Sequence, residues 1–77
     1  MEFAKEVDAR GLNCPLPILC CKKGLSEIEA TQVLKVMATD KGAVKDFNAF
    51  CQQTGHELLH LDTVDGVFTF YIKKRSS

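Results

Sequence analysis

Residues 13–28 read Asn13-Cys14-Pro15-Leu16-Pro17-Ile18-Leu19-Cys20-Cys21-Lys22-Lys23-Gly24-Leu25-Ser26-Glu27-Ile28. Two prolines inside a helix would break it. In the first turn they cost little, because amides there have no intrahelical acceptor and the fixed φ of proline suits the first helical position. Ile18, Cys21, Leu25 and Ile28 recur at helical spacing and form one apolar stripe. The pattern predicts a helix from Pro15 to about Ile28, with Pro15 as its first residue and Cys14 at its N-cap. Ser, Thr, Asp and Asn are the preferred caps, so a cysteine there is poor for stability and points to chemistry. The helix end contributes roughly half a positive charge, and thiols at such ends fall to pKa values of roughly 3.5–7.5. Cys14 is therefore expected to be an acidified, nucleophilic thiol, approached through the loop Arg10-Gly11-Leu12-Asn13. The structural alternative is a buried thiol, since free cysteine is among the most buried residue types.

Outward from this helix, Phe3 to Ala9 reads as a short strand with Phe3, Val7 and Ala9 on one face. Gln32 to Ala38 is a second strand, with Leu34, Val36 and Ala38 alternating against Lys35 and Met37. Thr39-Asp40 supplies an N-cap signal for a second helix, about Gly42 to Thr54. Ala43, Phe47, Phe50, Cys51 and Thr54 share one side of that helix, and Gly55 is placed to end it in the left-handed region. Glu57 to Asp62 and Val67 to Lys73 are two further strands, joined by the tight-turn pair Asp65-Gly66 into a hairpin. In the last strand Phe68, Phe70 and Ile72 face one way, Thr69 and Tyr71 the other. The order βαβαββ, with right-handed crossovers, implies an α+β fold: a two-layer α/β sandwich with a four-stranded mixed sheet and two helices on one face. The other sheet face is left open to water or a partner.

A chain of 77 residues, 1–77, allows a single domain in which most apolar residues must share one core. Hydrophobic residues make up 45% and charged residues 26%, an ordinary soluble composition. Ten basic and ten acidic residues give zero formal net charge, which argues against nucleic-acid binding by bulk positive charge. The opening residues MEFAKEVDA contain no apolar stretch long enough for a signal peptide, and no run approaches a membrane helix. A cytoplasmic location is expected, and with it free cysteines. Cys20 and Cys21 are adjacent and no C-x-x-C occurs, so neither a zinc knuckle nor a thioredoxin-type motif is present.

At these residues the sequence resembles the TusA/SirA sulfur-carrier family. The resemblance runs over almost the whole chain, through Asp8-Ala9-Arg10-Gly11-Leu12-Asn13-Cys14-Pro15-Leu16-Pro17-Ile18, Val36-Met37-Ala38-Thr39-Asp40, Gly42-Ala43-Val44-Lys45-Asp46-Phe47 and Thr54-Gly55-His56-Glu57-Leu58-Leu59. The C-P-x-P segment after D-x-x-G-L is its most specific part. The resemblance implies the same βαβαββ sandwich and a persulfide relay. Cys14 would take sulfur from a cysteine desulfurase or a rhodanese and pass it to an acceptor protein. The family's end uses are tRNA wobble-uridine thiolation, molybdenum-cofactor supply and sulfur oxidation. One departure is visible: members often carry Pro-Gly ahead of the second strand, where this chain has Ala30-Thr31.

The remaining candidates are weaker. Cys20 and Cys21 lie roughly 9–10 Å further along the helix than Cys14, too far for a disulfide in an intact helix. Cys21 and Cys51 sit on apolar faces and read as core, whereas Cys20 has no assigned role. His56 and His60 are expected on one face of the third strand, but no ligand pair has structural-zinc spacing, so no metal is expected. Lys22 and Lys23 are either solvated surface or a docking surface for an acidic partner. No acid/base pair, phosphate loop or cofactor motif appears, which fits a monomeric relay protein of sulfurtransferase type whose partners supply the catalysis. The competing class is a small RNA-binding or regulatory module using the open sheet face. Zero net charge and the lack of an aromatic stacking motif count against it. A thiol peroxidase or disulfide oxidoreductase lacks a resolving cysteine.

Overall fold

The computed structural model describes residues 2–76. Its elements are β1 (Lys5–Ala9), α1 (Leu16–Ser26), β2 (Val33–Ala38), α2 (Ala43–Thr54), β3 (Glu57–Val64) and β4 (Val67–Lys73). They form one sheet in the order β1-β2-β4-β3, with β1 parallel to β2 and β4 antiparallel to both of its neighbours. The expected βαβαββ mixed sheet, with both helices on one face, is what these residues build. The central strands carry the strict alternation. Leu34, Val36 and Ala38 are fully buried, as are Phe70 and Ile72, which pair with Val36 and Leu34 respectively across the β2–β4 ladder.

The helices cover this apolar face. Cys21, Leu25 and Ile28 come from α1 and the segment after it, and Ala43, Phe47, Phe50 and Cys51 from α2. Phe47 stacks on Phe70 with ring centroids 4.3 Å apart, which fixes α2 over the middle of the sheet. The first helix approaches the strands most closely at Gly24. A Cβ built there would lie 2.8 Å from Val7 Cγ2 and 3.0 Å from Leu34 Cδ1. The hairpin turn is as expected, with Asp65 and Gly66 at φ of 51° and 78°, the two positive values of a type I′ turn.

Four expectations are corrected. Phe3 does not continue the first strand, because the chain bends at Ala4 and the strand begins at Lys5. Its ring instead lies on the open face, 6.4 Å from Tyr71 and beneath the Lys35 ammonium. The first helix starts one residue late, at Leu16, and ends at Ser26, although Ile28 beyond it is still buried. Thr39-Asp40 does not cap α2 with a side chain. Gly42 is the N-cap, and Thr39 Oγ1 is taken up by the Gly11 amide at 2.9 Å. Finally, β3 runs on to Val64 and carries a register shift between Leu58 and His60.

That shift inserts one residue and inverts the alternation. Leu58 and Leu61 both pack against the core, while His60 pairs with Tyr71 on the open face. His56, ahead of the strand, instead stacks on Phe50 on the helix side. The two histidines therefore do not share a face, and the imagined zinc pair is not assembled.

Candidate functional site

The loop that delivers Cys14 is clamped from both ends. Arg10 donates to Asp8 from its amide (3.1 Å), its Nε (2.9 Å) and its Nη2 (2.9 Å), which holds the Asp8 carboxyl down at about 2. Gly11 turns the chain at φ 80°, and its bond to Thr39 ties this loop to the loop entering α2. Leu12 then packs against the core, and the Leu16 amide donates to Asn13 O at 2.9 Å. That turn closes before the helix begins. Pro15 is consequently the N-cap and Pro17 the second helical residue, while Cys14 lies one residue outside the cap across a cis Cys14–Pro15 peptide.

Cys14 is exposed at the mouth of a shallow groove of about 270 Å³ between the helices. From α1 and its start it is lined by Pro15, Ile18 and Lys22, and from α2 by Asp46, Ala49, Phe50 and Gln53. Here the expectation of an acidified thiol fails. The Cys14 thiol is pushed above its ordinary range, first by hydrogen bonding to the Asp46 carboxylate, then by desolvation and by the charges of Asp46 and Asp40. Two physical causes explain the reversal. The end of α1 is poorly endowed, because Leu16 has spent its amide on Asn13, Pro17 has none, and no side chain caps the helix. The second cause is α2, whose own N-terminus favours an acidic first turn and so sets Asp46 beside the sulfur. Asp46 was missed from the sequence. Its visible signal was an acid in the first turn of the second helix, and only the packing of α2 against α1 gives that acid its target.

The other cysteines are withdrawn. Cys21 is fully buried and burial drives its thiol up to about 12. Cys51 is buried and raised for the same reason. Cys20 is half-buried in a separate crevice with Lys5, Val7, Lys23, Gly24 and Glu27. The paired lysines therefore part company: Lys22 shares the groove with Cys14, and Lys23 opens on the β1 side. Among the described residues no group of three or more His, Cys, Asp or Glu is placed to hold a metal, and no helix is long and apolar enough to cross a membrane.

Known proteins share both this architecture and this sequence. A crystal structure of a SirA-like protein from Desulfitobacterium hafniense superposes with a TM-score of 0.80, covering 95% of this chain and 100% of that one. At 23% identity it speaks for the fold alone. The sulfur carrier protein TusA of Allochromatium vinosum is 56% identical over 73 residues, which span 95% of this chain and 96% of the relative. The sulfur carrier protein TusA of Pseudomonas entomophila is 41% identical over 70 residues, spanning 91% and 88%. The family described as sulfurtransferase TusA matches residues 5–74, so the chain belongs to the TusA family of sulfur carriers.

Proposed function

We propose that Cys14 is the atom on which this carrier holds sulfur, as a persulfide. The observation that supports it is exposure. Cys14 is exposed at a loop–helix junction, while Cys20 is half-buried and Cys21 and Cys51 are buried. A partner's persulfide has an open approach to Cys14, along a groove whose one cation is Lys22. In loading, the Cys14 sulfur attacks the outer sulfur of the donor persulfide. A new S–S bond forms to Cys14, the donor's S–S bond breaks, and the donor cysteine leaves as a thiolate that takes up the proton Cys14 gives up. No net oxidant or reductant is consumed, and no cofactor other than the covalent persulfide is required.

A cysteine desulfurase or a rhodanese fits the donor side, and a thiol-bearing acceptor protein the other. The protein acts as a relay in the cytoplasm, with Lys22 meeting acidic groups of the partner. Its end use is tRNA thiolation, molybdenum-cofactor supply or sulfur oxidation. Pro15 and Pro17 fix the turn that presents the sulfur.

Incubation with a cysteine desulfurase and cysteine should add one sulfur, about 32 Da, to Cys14, read by intact-mass and peptide mass spectrometry without reductant. Cys14→Ser should fold as the parent does, since its side chain is exposed, and accept no sulfur. Loading of Cys14→Ser, or a label on Cys20, Cys21 or Cys51, would sink the assignment.

A further inference from the structure

The loop from Arg10 to Pro15 presents Cys14, and its hydrogen bonds are nearly all local. The Leu12 amide donates to Ala9 O at 3.3 Å, the Leu16 amide to Asn13 O at 2.9 Å, and Arg10 to Asp8 just behind it. Among the described residues one hydrogen bond ties this loop to a distant part of the chain. The Gly11 amide donates to Thr39 Oγ1 at 2.9 Å, across 28 positions of sequence. The bond forms where the two parallel strands end. Ala9 and Ala38 are the last partners of the β1–β2 ladder, and both are fully buried. Beyond them the chain leaves β1 through Gly11 towards Cys14 and α1, and leaves β2 through Thr39 towards α2. Gly11 turns at φ 80°, where a side chain would be strained. The Thr39 hydroxyl thus adds one bond, side chain to main chain, after the backbone pairing of the two strands has ended.

We propose that Thr39 is a positioning residue for sulfur transfer: its hydroxyl holds the Gly11 amide and so fixes the loop that aims Cys14 at a donor persulfide. The assignment rests on the carrier role of Cys14 proposed above. Attack on a persulfide is a displacement at sulfur, so the direction from which Cys14 approaches matters as much as its exposure. An exposed loop held only by its own short-range bonds samples many directions, and each must be given up when donor and carrier align. The middle of this loop is held by Leu12, which packs against the core, and its exit by the bond from Leu16 to Asn13. Thr39 holds its entry, three residues ahead of the sulfur. It does not line the groove beside Cys14, so it acts through the loop and not on the reacting atoms. With all three points fixed, the loop is ordered before the donor arrives and less freedom is lost in the encounter.

The test compares Thr39→Val, which keeps the branched shape and removes the hydroxyl, with Thr39→Ser, which keeps the hydroxyl. Each full-length variant is mixed with a cysteine desulfurase already carrying its persulfide, and single-turnover transfer to Cys14 is followed by peptide mass spectrometry. In Thr39→Val the transfer rate at saturating carrier should fall about two- to tenfold, the weight of one lost hydrogen bond, with the half-saturating concentration unchanged. Thr39→Ser should recover the parent rate. Amide hydrogen exchange read by NMR should quicken at Gly11 in Thr39→Val, while the amides of Val36 and Phe70 in the buried central strands exchange as in the parent. Alkylation of Cys14 by iodoacetamide, a small reagent that needs no alignment with a partner, should keep the parent's rate. An unchanged transfer rate in Thr39→Val, or a loss that Thr39→Ser does not recover, overturns the proposal. So does a loss carried by the half-saturating concentration, which would make Thr39 a contact of the donor. A loss matched by slower alkylation overturns it too, because the effect would then lie on the thiol itself. If the parent takes no sulfur, the carrier assignment of Cys14 fails and the proposal with it, while Gly11 exchange in Thr39→Val still decides whether the hydroxyl holds the loop.

Discussion

Thr31 holds its backbone at φ 70°, in the left-handed region where a β-branched residue pays a steric penalty that glycine does not. It is kept there by the turn around it. The Thr31 amide donates to Lys74 O at 2.9 Å, Gln32 N donates to Glu29 O at 3.1 Å, and Gln32 Oε1 accepts from Glu29 N at 2.8 Å. This is the position at which the resemblance calls for glycine, so the departure read from the sequence has a conformational cost. Thr31→Gly should raise the urea midpoint by the equivalent of about 1 kcal/mol, the relief of left-handed strain less the entropy of an added glycine. An unchanged or lower midpoint would show that the turn is not strained. Cys14 makes the complementary point at the same scale. Its place at the head of a helix was legible, because prolines act locally on the backbone. Its acidity was not, because that depends on Asp46, which neither spacing nor periodicity connects to it.

Among the elements, the two helices and the central strands were legible because each carries its own period and its own stop. Gly55 ends α2 at φ 84°, as its position demanded. The bulge in β3 was not legible, since Leu58-Leu59-His60 alternates no worse than an unbroken strand would, and one inserted residue reassigns every side chain after it. Its consequence is that His60 turns to the open face, while His56, ahead of the bulge, belongs to the helix layer. There it stacks on Phe50, and its Nδ1 accepts the Arg75 amide at 3.0 Å, while Arg75 Nη1 donates to Thr54 O at 2.9 Å. The segment after β4 is thus tied back to the end of α2. Burial first, then the charges of Arg75 and Lys74, hold the His56 imidazole below its ordinary range. The unfolded chain, with a histidine near 6.5, binds the proton more readily than the folded one, so stability must rise with pH through this window. The contribution is present above about pH 6.5 and is lost as pH falls towards the lower folded value. The urea midpoint should therefore be lower at pH 5 than at pH 7.5, and His56→Gln should shrink that difference. A midpoint that rises on acidification, or a difference untouched by His56→Gln, would contradict the tether.

For the whole molecule the governing fact is the small core. Among the described residues it buries no polar or charged side chain, so its uniqueness rests on shape alone. A chain of this length has a net stability of roughly 4–12 kcal/mol. The Phe47–Phe70 stack lies at the centre, with both rings fully buried, and joins α2 to the middle of the sheet. Cutting Phe47 to alanine removes a ring that no neighbour can replace, at a cost of about 3–5 kcal/mol. That is a large share of the total, and it falls on the residue next to Asp46, so the packing that holds the fold also holds the carboxylate against Cys14. Phe47→Ala should therefore lower the urea midpoint sharply. Cys21 and Cys51, one buried in each helix, should become open to alkylation at the same urea concentration at which helical signal is lost, because a single core fails as a unit. Phe47→Leu, which refills part of the space, should fall between Phe47→Ala and the parent chain. If Phe47→Ala costs less than about 1 kcal/mol, or if Cys51 is exposed well before Cys21, α2 is not locked to the sheet through this stack. The hold of α2 on the thiol would then have to come from the contacts of Phe50 and Ala43.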